Sequence, residues 1–96
     1  MTVLRHYSLQ AAEGRESDLG EALAVLAAQV RACAGCEKVE IFVDARDSRR
    51  YVLIEHWRSS TDRDAAGAAL GKAAFAPVFD TLAERPEARD LVPAAD

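Results

Sequence analysis

The feature that most constrains the fold is a pair of strand-like segments with apolar residues on both faces. Residues 37–44 and 50–57 are rich in β-branched and aromatic residues, and the polar turn 45–49 between them predicts an antiparallel hairpin. The second strand carries apolar side chains on each face: Tyr51, Leu53 and Trp57 on one, Val52 and Ile54 on the other. A sheet with one wet face would alternate apolar with polar residues. Both faces of this hairpin therefore need a covering layer.

The segment from about Glu16 to Ala34 predicts a long amphipathic helix. Its apolar residues recur at alternating steps of four and three and form one stripe: Leu19, Leu23, Leu26, Val30 and Cys33. Ser17 or Asp18 is expected to cap its start, and Gly35 suits the left-handed position that ends a helix.

Two further strands, a second helix and a turn are predicted from shorter segments. Residues 3–9 predict a strand with Val3, Arg5, Tyr7 and Leu9 on one face. Residues 61–64, Thr-Asp-Arg-Asp, resemble a capping box that opens an alanine-rich second helix. Pro77 is expected to start a further short turn that directs Phe75, Phe79 and Leu82 toward the core. Residues 87–93 predict an edge strand, because Leu91 and Val92 precede a proline that only an edge tolerates.

The order strand, helix, strand, strand, helix, strand predicts one α+β domain, residues 1–96, with the ferredoxin-like βαββαβ topology and an antiparallel sheet. Two helices cover only one face of such a sheet, so the apolar second face needs another cover. A chain of 96 residues also buries only about two-thirds of its unfolded surface. We therefore predict a homodimer that packs sheet against sheet.

Charge and composition exclude several classes of function. The 16 acidic and 12 basic residues are mixed along the chain, so no basic stripe predicts nucleic-acid binding. The N-terminal residues lack the apolar core of a signal peptide, and no apolar run is long enough to span a bilayer, so a cytoplasmic location without membrane contact is expected. Cys33 and Cys36 are too few for a four-ligand zinc site, and they lie at the helix end that disfavours a thiolate.

Over nearly its whole length the chain resembles the antibiotic biosynthesis monooxygenase superfamily of dimeric α+β barrels. The resemblance rests on the strand before Gly14, the long helix ending in residues 34–36 (Ala-Gly-Cys), the hairpin, residues 53–57 (Leu-Ile-Glu-His-Trp) and the helix that follows. Similar proteins include cofactor-free oxygenases of aromatic polyketides or quinols, haem-degrading enzymes and an isomerase. Haem-degrading members use a histidine early in the second helix as the iron ligand, whereas residues 64–69 contain none. The resemblance thus implies an oxygenase without a cofactor.

The resemblance also implies that Trp57 faces a cavity between the sheet and the helices, where it would stack on a flat substrate. Strand alternation places Glu55 on the same face, with Tyr7 and Arg5 nearby if the odd positions of the first strand point toward the helices. We expect Glu55, Trp57 and Tyr7 to be catalytic and four further residues to bind substrate: Arg5, Tyr51, Phe75 and Phe79.

Each of these assignments has a structural alternative. Glu55 would remove a phenolic proton if burial raised its pKa, with Arg5 holding the anion, but the two side chains would equally form a cross-strand ion pair worth about 0.2–1 kcal/mol. Trp57 would otherwise be a core residue whose indole finds a backbone partner. His6 and His56 fall on the opposite face and are expected at the dimer interface.

Two other functions fit the same sequence. One is a non-catalytic dimeric barrel that binds a small hydrophobic ligand or a protein partner, which the alanine-rich, potentially filled interior favours. The other is an isomerase or cyclase on the same scaffold, which would turn over without oxygen. An open cavity beside Trp57 would favour the monooxygenase, acting on a small aromatic, quinol or polyketide-like substrate.

Overall fold

A computed structural model describes residues 2–95 as a four-stranded antiparallel sheet with two helices packed on one face. The elements follow one another as β1 Val3–Gln10, α1 Glu16–Arg31, β2 Cys36–Asp44, β3 Asp47–Trp57, α2 Ser60–Phe79 and β4 Glu87–Leu91. The sheet order is β2-β3-β1-β4, and every neighbouring pair is antiparallel. This confirms the predicted ferredoxin-like α+β topology, including the edge strand β4.

Among the described elements, helix α1 contributes the largest number of buried core residues, mainly through the predicted stripe. Leu19, Leu23, Leu26 and Val30 are all buried against the sheet. The predicted start at Glu16 is confirmed, but the predicted C-terminal end and the predicted cap were wrong. The helix stops at Arg31, so Cys33 and the left-handed Gly35 lie in the following turn. Arg15 occupies the N-cap position without a side-chain cap bond, and Asp18 instead accepts a 2.7 Å hydrogen bond from Arg15 Nε.

The start of α2 differs from the predicted capping box. Ser59, in an extended conformation, is the N-cap residue, and its Oγ accepts a 3.1 Å hydrogen bond from the backbone N–H of Asp62. Thr61 lies inside the first turn instead. The cap satisfies one of the N–H groups that have no partner within a helix. A hydroxyl side chain therefore caps the helix as predicted, but it belongs to Ser59, two residues before the predicted Thr61.

A kink at Gly71 divides α2 into two segments. Gly71 has φ +68° and ψ −177°, a conformation that only glycine adopts readily. Pro77 lies within the second segment and does not start a new turn. Val78 is buried and Phe75 packs against the core, whereas Phe79 is 53% exposed. The prediction that Phe79 points into the core was therefore wrong, because the second segment buries a different face.

The hairpin between β2 and β3 is tighter than predicted. Asp44 pairs with Asp47, so only Ala45 and Arg46 form the turn, in place of the five residues expected. The backbone N–H of Arg46 donates to Asp44 Oδ1 at 2.8 Å, and that of Arg49 donates to Asp47 Oδ1 at 3.0 Å. These local carboxylate bonds stabilise the short connection.

The two faces of the sheet have different surroundings. Leu9, Leu53, Glu55 and Trp57 are buried on the face that meets the helices. The alternating positions form the opposite face, which we call the open face, and they are half-buried or exposed: Leu4, His6, Phe42, Val52, Ile54, His56 and Leu91. Both histidines therefore lie on the predicted side. Among residues 2–95, no helix has the length and apolarity to cross a bilayer.

Candidate functional site

A cavity of about 400 Å³ lies between the helix-facing side of the sheet and α2. The interior beside Trp57 is therefore open and not filled by the alanines of α2. Five of the seven predicted site residues line this cavity: Arg5, Tyr7, Glu55, Trp57 and Phe75. Strand alternation brings the first four together, because Arg5 lies directly across from Glu55 in the β1–β3 register.

Glu55 is the buried carboxylate of the cavity, with only 3% of its surface exposed. Its Oε1 accepts a 2.9 Å hydrogen bond from Trp57 Nε1, two residues along β3 on the same face. Burial raises the pKa of Glu55, and this outweighs the Trp57 hydrogen bond and the charges of Arg5 and Arg63, which act to lower it. A carboxylate with a raised pKa beside an open cavity is suited to accept a proton from a bound molecule.

The Trp57 side chain is fully buried, but its hydrogen-bond partner is not the backbone group expected for a core tryptophan. The indole N–H would find a backbone carbonyl in an ordinary core tryptophan, but here it donates to the Glu55 carboxylate. Removal of either residue would therefore leave the other with an unpaired buried polar group. The hydrogen bond between Trp57 and Glu55 therefore fixes the indole ring and the carboxylate relative to each other.

Arg5 does not form the alternative cross-strand ion pair with Glu55. Its Nη1 lies 3.2 Å from Asp90 Oδ1 on the edge strand β4, and its guanidinium lies 5.3 Å from the centre of the Tyr7 ring. Arg63, in the first turn of α2, donates through Nη1 to the same Asp90 oxygen and through Nη2 to Asp64 at 2.8 Å. Two guanidinium groups therefore meet at one carboxylate at the more exposed end of the cavity.

Tyr7 contributes a neutral hydroxyl to the cavity. Burial, and secondly the charge of Glu55, raise the pKa of Tyr7 above its ordinary value of 10.0, although Arg5 and Arg63 act in the opposite direction. The hydroxyl therefore keeps its proton at neutral pH and serves as a hydrogen-bond donor and acceptor.

Tyr51 and Phe79 do not line this cavity. Tyr51 lies on the Trp57 face, but six residues along a strand span about 20 Å, and its hydroxyl donates to the backbone carbonyl of Glu16 at 3.2 Å. Phe79 stacks on Phe75 with ring centres 6.3 Å apart. It lines a neighbouring apolar groove of about 460 Å³ that shares Arg5, Tyr7, Gly67 and Phe75 with the cavity.

Arg63 and Asp90 line the cavity but were not identified from the sequence. Arg63 lies in the segment interpreted as a capping box, and its spacing carries no functional signal. Asp90 reaches the site because β4 pairs with β1 in a register that sets it opposite Arg5. The pairing of the predicted edge strand with β1 was the only signal that could have found it.

Metal-binding and thiol groups are sparse in the described part of the chain. Between Thr2 and Ala95 no three His, Cys, Asp or Glu side chains cluster in a way that could hold a metal ion. On the open face, His56 Nε2 lies 2.7 Å from Glu40 Oε1. Both cysteines are free thiols, and burial raises the pKa of Cys36, which disfavours the thiolate that redox chemistry requires.

Comparison with known families gives one match that covers most of the chain. The family model described as "Antibiotic biosynthesis monooxygenase" matches residues 2–83. No curated protein matches.

Solved structures with the same fold come from several bacteria. A protein from Nitrosomonas europaea assigned to the antibiotic biosynthesis monooxygenases has a TM-score of 0.87 at 19% identity, covering 97% of this chain and 90% of its own. One from Bordetella bronchiseptica with the same assignment has a TM-score of 0.84 at 19% identity, covering 98% of each chain. A protein from Pseudomonas aeruginosa has a TM-score of 0.84 at 24% identity, covering 98% and 95%. These likenesses support the fold.

Proposed function

This chain belongs to the antibiotic biosynthesis monooxygenase family, and from that premise we propose that it is a cofactor-independent monooxygenase acting on a small aromatic, quinol or polyketide-like substrate. One observation carries the proposal. A carboxylate of raised pKa, Glu55, is held by Trp57 at the buried end of a cavity of about 400 Å³. Buried carboxylates of raised pKa are characteristic of acid–base sites.

The proposed chemistry begins with loss of a proton from the substrate to Glu55. Its Oε1 is engaged by Trp57, so Oε2 is the oxygen assigned to this proton. The resulting anion is electron-rich and gives one electron to O2, and the two radicals combine into a peroxide anion on the substrate carbon. Glu55 returns its proton to this anion, which gives the hydroperoxide and restores the carboxylate. At a ring methylene, loss of water from that hydroperoxide leaves a carbonyl. The methylene supplies both hydrogens of the water, and one oxygen atom of O2 enters the product.

The other lining residues have roles that follow from their chemistry. Trp57, Tyr7 and Phe75 give aromatic surfaces against which a flat substrate ring packs. Arg5, positioned over the Tyr7 ring, adds a positive charge that stabilises the substrate anion. Phe79 is assigned to the neighbouring groove, where it would contact the part of a larger substrate that extends beyond the cavity.

Oxygen uptake by the metal-free protein with a panel of quinols and anthrones tests the proposal. Glu55→Gln should abolish uptake, since the amide carbonyl can still accept the Trp57 hydrogen bond but cannot take a proton. Tyr51→Phe is the matched control and should retain the wild-type rate, because Tyr51 bonds to the start of α1 away from the cavity.

Other outcomes would support the competing functions. No uptake with any compound, together with quenching of Trp57 fluorescence on binding, would support a non-catalytic ligand-binding barrel. Product formation without oxygen consumption would indicate an isomerase or cyclase. Uptake that persists in Glu55→Gln would refute the role assigned to this carboxylate.

We also propose that the protein is a homodimer in which the open faces of two sheets meet. Phe42 is 50% exposed and lies beside Val52 and Ile54 on this face. Apolar patches of this kind are commonly protein interfaces. Sedimentation at micromolar concentration should show a dimer for the wild type and a monomer for Phe42→Glu; a stable wild-type monomer would refute the proposal.

A further inference from the structure

The most unusual cluster near the cavity is the meeting of two arginines at one carboxylate. Arg5 comes from β1, Arg63 from the first turn of α2 and Asp90 from β4. Both guanidiniums bond to the same oxygen, Asp90 Oδ1. The two arginine side chains are 28% and 22% exposed, so each is largely sheltered but still reached by solvent.

We expect this cluster to add little to the stability of the fold. Exposed ion pairs contribute at most about 1 kcal/mol, and Asp90 itself is 44% exposed on a five-residue edge strand with no buried residue. Each guanidinium has five N–H donors, and the two together give three to carboxylates, two to Asp90 and one to Asp64. Several donors of each arginine therefore have no carboxylate partner, and the two that converge on Asp90 would become free if Asp90 left.

The Asp90 carboxylate lies against both guanidinium groups, in the position that an anionic group of a ligand would take. Partial burial acts to raise the pKa of Asp90, but the hydrogen bonds and charges of Arg63 and Arg5 outweigh it and hold that pKa below its ordinary value. The carboxylate is therefore ionised at neutral pH. It lines the cavity together with both arginines, on the same side of the sheet as Glu55 and Trp57.

We propose that Arg5 and Arg63 form a subsite for a carboxylate on the substrate, and that Asp90 occupies this subsite in the free protein. The inference rests on the proposed function and narrows its substrate class to aromatic acids. The ring would lie against Tyr7 and Trp57, and the acid group would point to the more exposed end of the cavity. Binding then exchanges one carboxylate for another on the two guanidiniums, and Asp90 returns to solvent at the sheet edge.

Binding without oxygen separates this inference from the chemistry. Trp57 is the only tryptophan, so its fluorescence reports occupancy of the cavity. The probes are 2,5-dihydroxybenzoate and its methyl ester, which differ in the charge of one group. The wild type should bind the acid more tightly than the ester. Arg63→Gln should weaken binding of the acid by about tenfold or more, which is the effect of losing one charge-assisted hydrogen bond. The same variant should change the affinity for the ester by less than about twofold.

The Asp90→Asn variant gives the sharper result. Removal of the competing carboxylate should strengthen binding of the acid by about threefold to tenfold and leave the ester unchanged, because the arginines lose their internal partner. Arg58→Gln is the matched control: Arg58 is 67% exposed and pairs with Asp62 away from the cavity, so both affinities should stay at the wild-type values.

Equal affinity for acid and ester in the wild type and in Arg63→Gln would overturn the subsite. Weaker binding of the acid by Asp90→Asn would also overturn it, since Asp90 would then be a support for the arginines and not a competitor. A thermal unfolding curve for each variant identifies any loss of fold. These results stand apart from the proposed oxidation, because a protein that binds the acid selectively but consumes no oxygen would keep the subsite and lose the monooxygenase.

Discussion

The kink in α2 can be tested with two glycines of the same helix. A Cβ at Gly67 or at Gly71 would meet no atom within 4 Å beyond the adjacent residues and the local helix backbone, so neither alanine substitution creates a tertiary clash. The positions differ in backbone conformation, because Gly71 alone has a positive φ, +68°. Gly67→Ala should stabilise the fold by about 0.5–1 kcal/mol, as a helix-interior glycine loses more backbone entropy than alanine. Gly71→Ala should destabilise it by about 1–3 kcal/mol through backbone strain.

Urea unfolding followed by fluorescence or circular dichroism measures both free energies. For a domain of this length, 1 kcal/mol corresponds to roughly 4–8 °C in Tm, so the opposite signs should be resolved by thermal unfolding as well. A stabilising Gly71→Ala, equal to Gly67→Ala, would refute the kink, since it would mean that residue 71 adopts helical angles. The cavity wall built by the two segments of α2 would then need a different explanation.

Contacts of Ser59, Glu55 and Tyr51 can each be tested by one substitution. Ser59→Ala should lower the free energy of unfolding by about 1 kcal/mol because Ser59 caps α2, whereas Thr61→Ala should cost clearly less in the same urea titration. The wild type should lose stability as the pH rises from the ordinary Glu pKa of 4.5 through the raised pKa of Glu55, because the unfolded chain releases that proton at the lower pH. Glu55→Gln should not show this loss, and identical pH profiles for the two proteins would contradict the prediction. Tyr51→Phe should cost about 0.5–1.5 kcal/mol through the lost bond to Glu16 and leave ligand quenching of Trp57 unchanged.

Regular patterns in the sequence were sufficient for the fold. The stripe from Leu19 to Val30 has the helical period and is buried as predicted, because one buried face fixes the orientation of a helix. Strand alternation likewise predicted that Glu55 and Trp57 share one face, and the family resemblance implied that this face meets the helices, where both are buried. The ends of the helices were less predictable. At α2, for example, Ser59, Ser60 and Thr61 are all residue types able to cap a helix, so the sequence does not show which of them does.

The composition of the site was only partly predictable. The periodicity of a strand or helix shows which face a residue lies on, but not how far along that face it lies from the cavity. Tyr51 shares a face with Trp57 and is nevertheless far from the cavity. Phe79 is four residues from Phe75, a helical spacing, but the segment after Gly71 buries Val78 in its place. Asp90 entered the site because the pairing of β4 with β1 sets it opposite Arg5, 85 residues earlier in the chain, which no local pattern encodes.

The most direct test of the central claim is to observe the proton transfer to Glu55 in the absence of oxygen. An anthrone whose anion absorbs at longer wavelength than its neutral form is mixed anaerobically with the metal-free protein near neutral pH. The wild type should produce the absorbance of the bound anion, which should disappear when oxygen is admitted, and Glu55→Gln should bind the compound in its neutral form. Equal anion absorbance in the two proteins, or a neutral bound compound in the wild type, would contradict Glu55 as the base.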